Sequence, residues 1–413
     1  MPVTVVRTLA GFDALAQSWR LLETQVPHTL PFQTFDWNRA WWTHFAVSNH
    51  FRHDSLLIHS FVEDDKLIGV IPLFVSSFKL GSIVFFRYIR PFGADPNLTE
   101  IRSPLVLPEF TNMVFTSWLK FISRHGLSIK QFQIIGPEEV VDRLIEQHTD
   151  VRLLGKRVIP DYILNLSETW DEFHKGLKRN IKESIRRCYN SLARENLKHS
   201  LVVFSESTAI LAQLDTFYAL HSARASAEKT VNHPDYFSHT QHRDFLKNLI
   251  CNAGEHHFQV HLFCLYIDSE ICAMRLGFIV GDDLYFYYSG YKPEYGKYSV
   301  MTTLVVEVMR WAMQKKLVHV NLSVGQDVSK TRWSPVAVNY AEYHFSNTSL
   351  LSNKLGWLVY NFKKFKQDKA KAQLTLKSKL PFGNKLKRLL NRVWLKVCVL
   401  LACLDYCAEL AYF

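Results

Sequence analysis

Between residues 275 and 333 the sequence gathers residue types that can handle a negatively charged ligand. The stretch YYSGYKPEYGKYSVMTTL (287–304) runs from a tyrosine-rich strand pattern through a Gly/Pro/Lys loop into an apolar helix. The first turn of a helix leaves about four backbone N–H groups without intrahelical partners and carries roughly half a positive charge. The amides of Ser299, Val300 and Met301, with Lys297 beside them, are therefore a candidate phosphate site. Ser299 is also a good capping residue, so the plain alternative is a loop that only begins a helix. Downstream, Gly325, Asp327, Lys330, Arg332 and Trp333 occupy a polar loop after the strand pattern VHVNLSVG. Lys330 can neutralise a phosphate or an oxyanion, and Asp327 can orient an acceptor or take its proton. The alternative is a solvated ion pair of little worth. Arg275 sits inside EICAMRLGFIV, where a charge is costly unless it points outward from a sheet edge or finds a partner in a cleft. Lys178 and Arg179 begin a basic helix face that either is merely solvated or steers anions. His239/His242 and His256/His257 are close in sequence but lack matching Cys, Asp or Glu spacing, so no metal site is expected. No GxSxG, HExxH, GxxxxGK[ST] or GxGxxG pattern occurs, which removes the common hydrolase, zincin and nucleotide-binding classes.

The chain that must position these residues has 413 residues, 48% of them hydrophobic and 14% aromatic, enough for two domains with sizeable cores plus an appendage. Seven cysteines without a CxxC pair, two of them (Cys264 and Cys272) in apolar runs, imply buried free thiols in a reducing compartment. The N-terminal MPVTVVRTLAGFD has no basic segment followed by an apolar one, so no secretory signal is read and a cytoplasmic location is expected. The net charge of +11 is concentrated between Lys354 and Lys396, where thirteen Lys/Arg face one acid, Asp368, leaving the remainder near neutral at −1. This distribution speaks against a DNA-binding body.

Residues 1–158 form one mixed α/β half. It holds a first strand (VTVVRT), a helix (FDALAQSWRLLETQ), an aromatic-rich helix (DWNRAWWTHFA) and a hairpin turning at Glu63-Asp64-Asp65-Lys66. Residues 159–350 form a second. The strand DYILNL leads to a long helix capped by Thr169, with Glu172 three residues on and an apolar stripe of Phe173, Leu177, Ile181, Ile185, Cys188 and Leu192. Helices near 207–228 and 237–252, three short-turned strands, the 300–316 helix and the strands VHVNLSVG and NYAEYHFS follow. Residues 351–413 are a basic tail of helical character.

An antiparallel meander, a loop, a helix and a strand make the core order of the GNAT acyltransferase fold, and residues 281–333 resemble the C-terminal half of the FemAB-like, or BioF2-like, acetyltransferases. The family's Y-S-P-G loop, Asp-led strand and G-x-E-x-Y-K pattern read here Tyr298-Ser299-Val300-Met301, Asn321-Leu322 and Gly325-Gln326-Asp327-Val328-Ser329-Lys330. Its basic helix is matched by LKRNIKESIRRCYNSL, and its PFQ-x-x-x-W by Pro31-Phe32-Gln33 and Trp37. The resemblance spans roughly residues 10–345 and implies an α/β (α+β) chain of two GNAT-like mixed-sheet halves. It implies acetyl-CoA or another acyl-CoA as donor, direct transfer to an amine, and a splayed strand whose N–H groups at Tyr288, Ser289 and Gly290 stabilise the oxyanion. Tyr291 or Tyr298 would protonate the leaving thiolate, and Lys178, Arg179, Arg275, Arg332 and Trp333 would meet the substrates. A sugar, a polysaccharide precursor or a lipid-linked molecule is the implied acceptor. Val300 and Met301 stand where the family has Pro-Gly, Asn321 where it has Asp, Asp327 where it has Glu and Ser329 where it has Tyr. Two alternatives therefore stay open: a Fem-type transferase using a charged tRNA, and a catalytically lapsed, membrane-associated accessory protein.

The tail ends in WLKVCVLLACLDYCAELAYF, whose uninterrupted apolar run of 397–404 is too short to cross a bilayer. Lysines beside Trp357, Phe362 and Phe365 fit a helix lying on an anionic membrane surface. Packing on the body and RNA binding are the second and third readings.

Overall fold

The computed structural model describes residues 2–94, 98–125, 131–147, 152–226, 234–253 and 257–346. The basic tail of the sequence reading, 351–413, lies outside the described residues. Among those described, no helix is long and apolar enough to cross a membrane.

The chain opens with β1 (Thr4–Val6), α1 (Leu9–Ala14), α2 (Ala16–Gln25) and α3 (Phe35–Phe45), then β2 (Arg52–Leu56), β3 (Ile58–Glu63), β4 (Lys66–Ile71), β5 (Leu73–Leu80), β6 (Ile83–Pro91) and β7 (Leu105–Val106). Helix α4 (Thr111–His125), β8 (Gln131–Pro137), α5 (Glu138–Gln147) and the long β9 (Arg152–Asn165) complete this part. The second part runs α6 (Trp170–Gly176), α7 (Arg179–Arg194), β10 (His199–Phe204), α8 (Ser207–Ser226), α9 (Thr240–Asn252), β11 (Phe258–Ile267), β12 (Glu270–Val280) and β13 (Asp283–Tyr291). It closes with α10 (Val300–Gln314), β14 (His319–Val324), α11 (Val328–Thr331) and β15 (Val336–Ser346).

Four strands form a small sheet in the order β1-β3-β4-β7, and eleven form the main sheet, β10-β11-β12-β13-β14-β9-β15-β8-β6-β5-β2. The main sheet contains the same unit twice. In one, β6 and β8 run parallel with α4 between them; in the other, β13 and β14 run parallel with α10 between them. The flanking strands are exchanged: β9, which ends the first part, pairs with β14, while the last strand, β15, pairs with β8, and β9 and β15 pair with each other. The expected boundary at residue 158 falls inside β9.

Both faces of the second part's sheet are covered, so its strands are apolar on both sides. One face packs on α7 and α10 through Ile181, Ile185, Leu304 and Met309. The other packs on α1–α3, α8 and α9 through an aromatic core of Phe12, Trp19, Trp37, Trp41, Phe217 and Phe245. This second core joins the two parts, since Phe32 meets Tyr285 (ring centroids 5.2 Å) and Trp37 meets Phe278 (5.6 Å). Burial of each such ring contributes on the order of 1.5–3 kcal/mol.

The hairpin turn falls as the sequence predicts, with Asp64 and Asp65 in the left-handed conformation between paired Glu63 and Lys66. The single long helix after Thr169 does not form. The Thr169 hydroxyl accepts the Glu172 N–H and starts α6, but Gly176, a weak helix former, ends it, and Leu177 and Lys178 are extended before α7. The apolar stripe from Phe173 to Leu192 is nevertheless buried throughout, because the break keeps Leu177 turned inward.

Candidate active site

The strands β13 and β14 pair over only three positions, Asp283–Tyr285 with His319–Asn321. Beyond them β13 follows β12 to Tyr291 while β14 continues beside β9, so a crevice opens in the sheet. At that point β13 also bulges: Arg275 pairs with Ser289 and Gly277 with Phe286, leaving Tyr287 and Tyr288 opposite the single residue Leu276. A bulge takes a residue out of the ladder and re-aims the backbone. Arg275 is held there, its Nη1 donating to the Tyr287 carbonyl at 3.2 Å and its guanidinium 4.7 Å from the Phe286 ring centre. Burial, reinforced by the nearby Arg224, lowers its pKa to about 9. Of the two sequence options for Arg275, the structure takes the interior one.

Two carboxyl groups converge on this crevice from the other segments. Asp161 on β9 is fully buried and accepts from Asn321 Nδ2 at 2.6 Å through one oxygen, while Oδ1 has no hydrogen-bond partner. Burial pushes its pKa up to about 7; the Asn321 bond opposes this and the charge of Glu100 adds to it. Glu100, from the loop after β6, accepts the Tyr285 hydroxyl and lies in hydrogen-bond range of the Ser323 hydroxyl and the Val324 N–H. Burial raises its pKa, against the pull of Tyr285 and Lys330. Lys330 caps the group, its Nζ donating to the Val324 carbonyl and lying 3.4 Å from Ser323 Oγ and 4.0 Å from Asp327 Oδ2. Burial lowers the Lys330 pKa even though both Glu100 and Asp327 pull it up. The result is a pair of carboxyls that resist losing a second proton, next to an amine that resists gaining one.

The helix start after the opening loop is the third wall. Ser299 occupies the N-cap position of α10 but does not cap it through its side chain; it stands in the left-handed region at φ 54°. Arg332 Nη2 donates to Thr302 Oγ1 at 2.9 Å in the first turn, and burial lowers the Arg332 pKa. Arg332 Nε and Thr303 Oγ1 are buried without partners. Unpaired donors beside a helix N-terminus fit a ligand carrying anionic oxygens. Val300 is buried and Met301 packs partly into the α7–α10 core, and the Ser299 N–H already donates to the Gly296 carbonyl at 3.0 Å, so of the three predicted amides those of Val300 and Met301 remain for a ligand.

The remaining predicted residues divide. Ser289 is buried, with its hydroxyl accepting from Arg224 at 2.7 Å, and Tyr291 is half-buried close to Arg224. Tyr288 packs among His221, Tyr236 and Phe237 instead of lining the crevice. Gly290 lies against α8: a Cβ there would stand 2.3 Å from the backbone of Leu220 and His221. Tyr298 donates its hydroxyl to Glu195, which also lies 3.6 Å from Lys297, so both residues tie the loop to the end of α7. Trp333 is buried in the α7–α10 core, whereas Lys178, Arg179 and Asp327 are exposed, with Asp327 capping α11 through the Ser329 N–H at 2.8 Å. Sequence reading did not single out Asp161, Glu100, Arg224 or Tyr285. Asp161 carried a usable signal, an acid within the apolar strand VIPDYILNL; Glu100 carried none, because only folding brings its loop to β14.

Residues 179–331 match the family described as Acetyltransferase (GNAT) domain. Among solved structures the chain is similar to FemX, with a TM-score of 0.55 at 9% identity over 83% of this chain and 97% of that one, a likeness of fold. Similarity at a TM-score of 0.43 extends to a tandem GNAT protein of the clavulanic acid biosynthesis pathway (8% identity, covering 84% of this chain and 99% of that one). A TM-score of 0.44 is found for the C-terminal domain of a protein named as a putative lysylphosphatidylglycerol synthetase from Agrobacterium fabrum (12% identity, 83% and 95%). No curated protein matches the sequence itself.

Proposed function

We propose that the chain, with its GNAT acetyltransferase domain set in a FemX-like fold, is an acyltransferase of the FemAB-like kind that moves an acyl group from a CoA-type thioester to an amine in the crevice between β13 and β14. The observation that carries this reading is the unpartnered oxygen of buried Asp161 beside Glu100 and Lys330. A pKa of about 7 suits a general base at neutral pH. The amine nitrogen forms the new C–N bond as the C–S bond breaks; the amine's proton passes to the Asp161–Glu100 pair. Lys330 and the amides of the β13 bulge offset the negative charge on the carbonyl oxygen. Tyr291, at the end of β13 near Arg224, is the phenol assigned to supply the proton that the departing sulfur takes up. The phosphates of the donor are read onto the α10 amides with Arg332 and Thr303. The acceptor approaches through a cavity of about 200 Å³ lined by Tyr285 and Asn321, the partners of the two carboxyls.

The experiment is acetyl-CoA consumption with a panel of amino sugars and lipid-linked amines. The proposal expects turnover in the wild type and loss of about 100-fold or more in Asp161→Asn, as removal of a general base requires. Turnover unchanged in that variant would remove Asp161 from the chemistry. A second reading, aminoacyl transfer from a charged tRNA, is favoured by the FemX-like fold; it predicts that tRNA, not CoA, raises the thermal midpoint. For the tail we propose an anionic membrane surface as partner, from its +12 charge and apolar end. Deleting 351–413 is expected to abolish sedimentation with anionic vesicles.

A further inference from the structure

The mouth of the same cavity holds a group that the acyl-transfer reading does not use. His28 comes from the loop after α2, Asp283 begins β13 and His319 begins β14. His28 Nδ1 lies 2.8 Å from one oxygen of Asp283 and His319 Nδ1 lies 2.7 Å from the other. The two imidazoles meet edge to face at 4.6 Å, and the three potential ligand atoms lie within 4.8 Å of one another. We propose that His28, Asp283 and His319 bind one divalent transition-metal ion of the zinc class, tying the first part of the chain to the ends of β13 and β14.

Two imidazole nitrogens and one carboxylate suit zinc, whose open sites keep three protein ligands and leave a fourth position for water or substrate. The fourth position here faces the cavity. Hydrogen bonding alone would place two N–H donors on one carboxylate; a metal replaces those two protons and draws both nitrogens to a shared centre, as metal binding does when it releases protons. The ligands are held in place before any ion arrives. Thr29 Oγ1 donates to the Val26 carbonyl at 2.9 Å and Leu30 N to Gln33 Oε1 at 2.8 Å, which pins the loop that carries His28. His28 itself stands at φ 57°, a left-handed conformation that a non-glycine residue adopts at some cost. On the other side, Val318 N donates to the Asp282 carbonyl at 2.9 Å and fixes the start of β14 against that of β13. His28 has half its side chain exposed, so the ion has a route in.

The site depends on contacts between residues 28, 283 and 319 that no local spacing announces, which is why the sequence pattern gives no metal motif. The full chain, dialysed against chelator, is titrated with Zn²⁺ by calorimetry and with Co²⁺ by visible absorption. Removing even an outer partner of a metal ligand costs roughly 10–100-fold in affinity, so removing a ligand should cost at least that. The wild type should bind one equivalent with tetrahedral or five-coordinate Co²⁺ bands. His28→Gln and His319→Gln should each weaken that equivalent at least tenfold. Because His28 is exposed, its variant keeps the fold and isolates the ligand's contribution. A wild type that takes up no zinc at micromolar concentration overturns the proposal. So do variants that bind as tightly as the wild type, since the ion would then sit on other residues.

Discussion

The two parallel strand pairs of the main sheet each carry a tyrosine, an amide and a buried acid, and they use them oppositely. Around β6–β8, the Tyr88 hydroxyl lies 3.3 Å from Gln133 Oε1 and 3.0 Å from His344 Nδ1, and Gln133 Nε2 donates to Glu342 on β15. Arg102 at 3.7 Å, His344 at 3.3 Å and Arg157 at 3.9 Å surround that acid. Burial alone would push Glu342 up, but Arg102 and His344 more than offset it and hold the pKa at about 2. Around β13–β14 the corresponding acid, Asp161 on β9, has Asn321 as partner and a second carboxyl, Glu100, in place of the arginines. Its pKa rises to about 7. The same strand geometry thus yields a closed ion cluster in one half and an acid with a raised pKa in the other, and the choice of charged neighbours makes the difference.

The largest effect should come from opening the closed cluster. Glu342→Gln leaves Arg102, Arg157 and His344 without their acid and is expected to destabilise the chain by about 3–5 kcal/mol, read by urea denaturation. The two acids also predict opposite pH dependences. Glu342 has its folded pKa depressed, so its contribution is complete above about pH 4.5 and is lost as pH falls towards 2. Asp161 has its folded pKa raised, so the folded state binds the extra proton between about pH 4 and 7 and stability falls as pH rises through that window. Asp161→Asn should flatten the second slope and raise stability at pH 8 by about 1–3 kcal/mol while it lowers turnover. A variant less stable than wild type at pH 8 would show that Asp161 is a structural acid like Glu342.

Smaller effects sharpen the same comparison. Gly290→Ala drives a methyl group into the α8 backbone and should cost about 1–3 kcal/mol of stability by overpacking. Lys330→Met should lower kcat by about tenfold, roughly 1.4 kcal/mol, at unchanged stability, since it removes charge from the crevice without emptying a core position.

Much of the second half could be read from its sequence because its signals are local. Alternating apolar residues and the short turns at Ser269 and Gly281 define β11, β12 and β13, and the polar loop before Val300 marks the start of α10. Lys330, Arg332 and Arg275, singled out by charge in or beside apolar runs, all lie at the crevice. What escaped depends on distant chain segments. The exchange of β9 and β15 between halves leaves no local mark, and it alone brings Asp161 to Asn321 and Glu342 to Gln133. Tyr298 and Gly290 carried the right residue types, but Glu195 holds the first and α8 fills the space beside the second.

Acetyl-CoA should bind at the β13–β14 crevice and not at its counterpart around β6–β8. Backbone amide hydrogen exchange of the full chain, with and without saturating acetyl-CoA, tests it most directly. Exchange should slow at residues 286–303 and 321–332 and stay unchanged at 87–91, 111–115 and 132–137. Protection around β6–β8, or no protection at β13–β14 once acetyl-CoA binding is saturated, would contradict that placement of the donor.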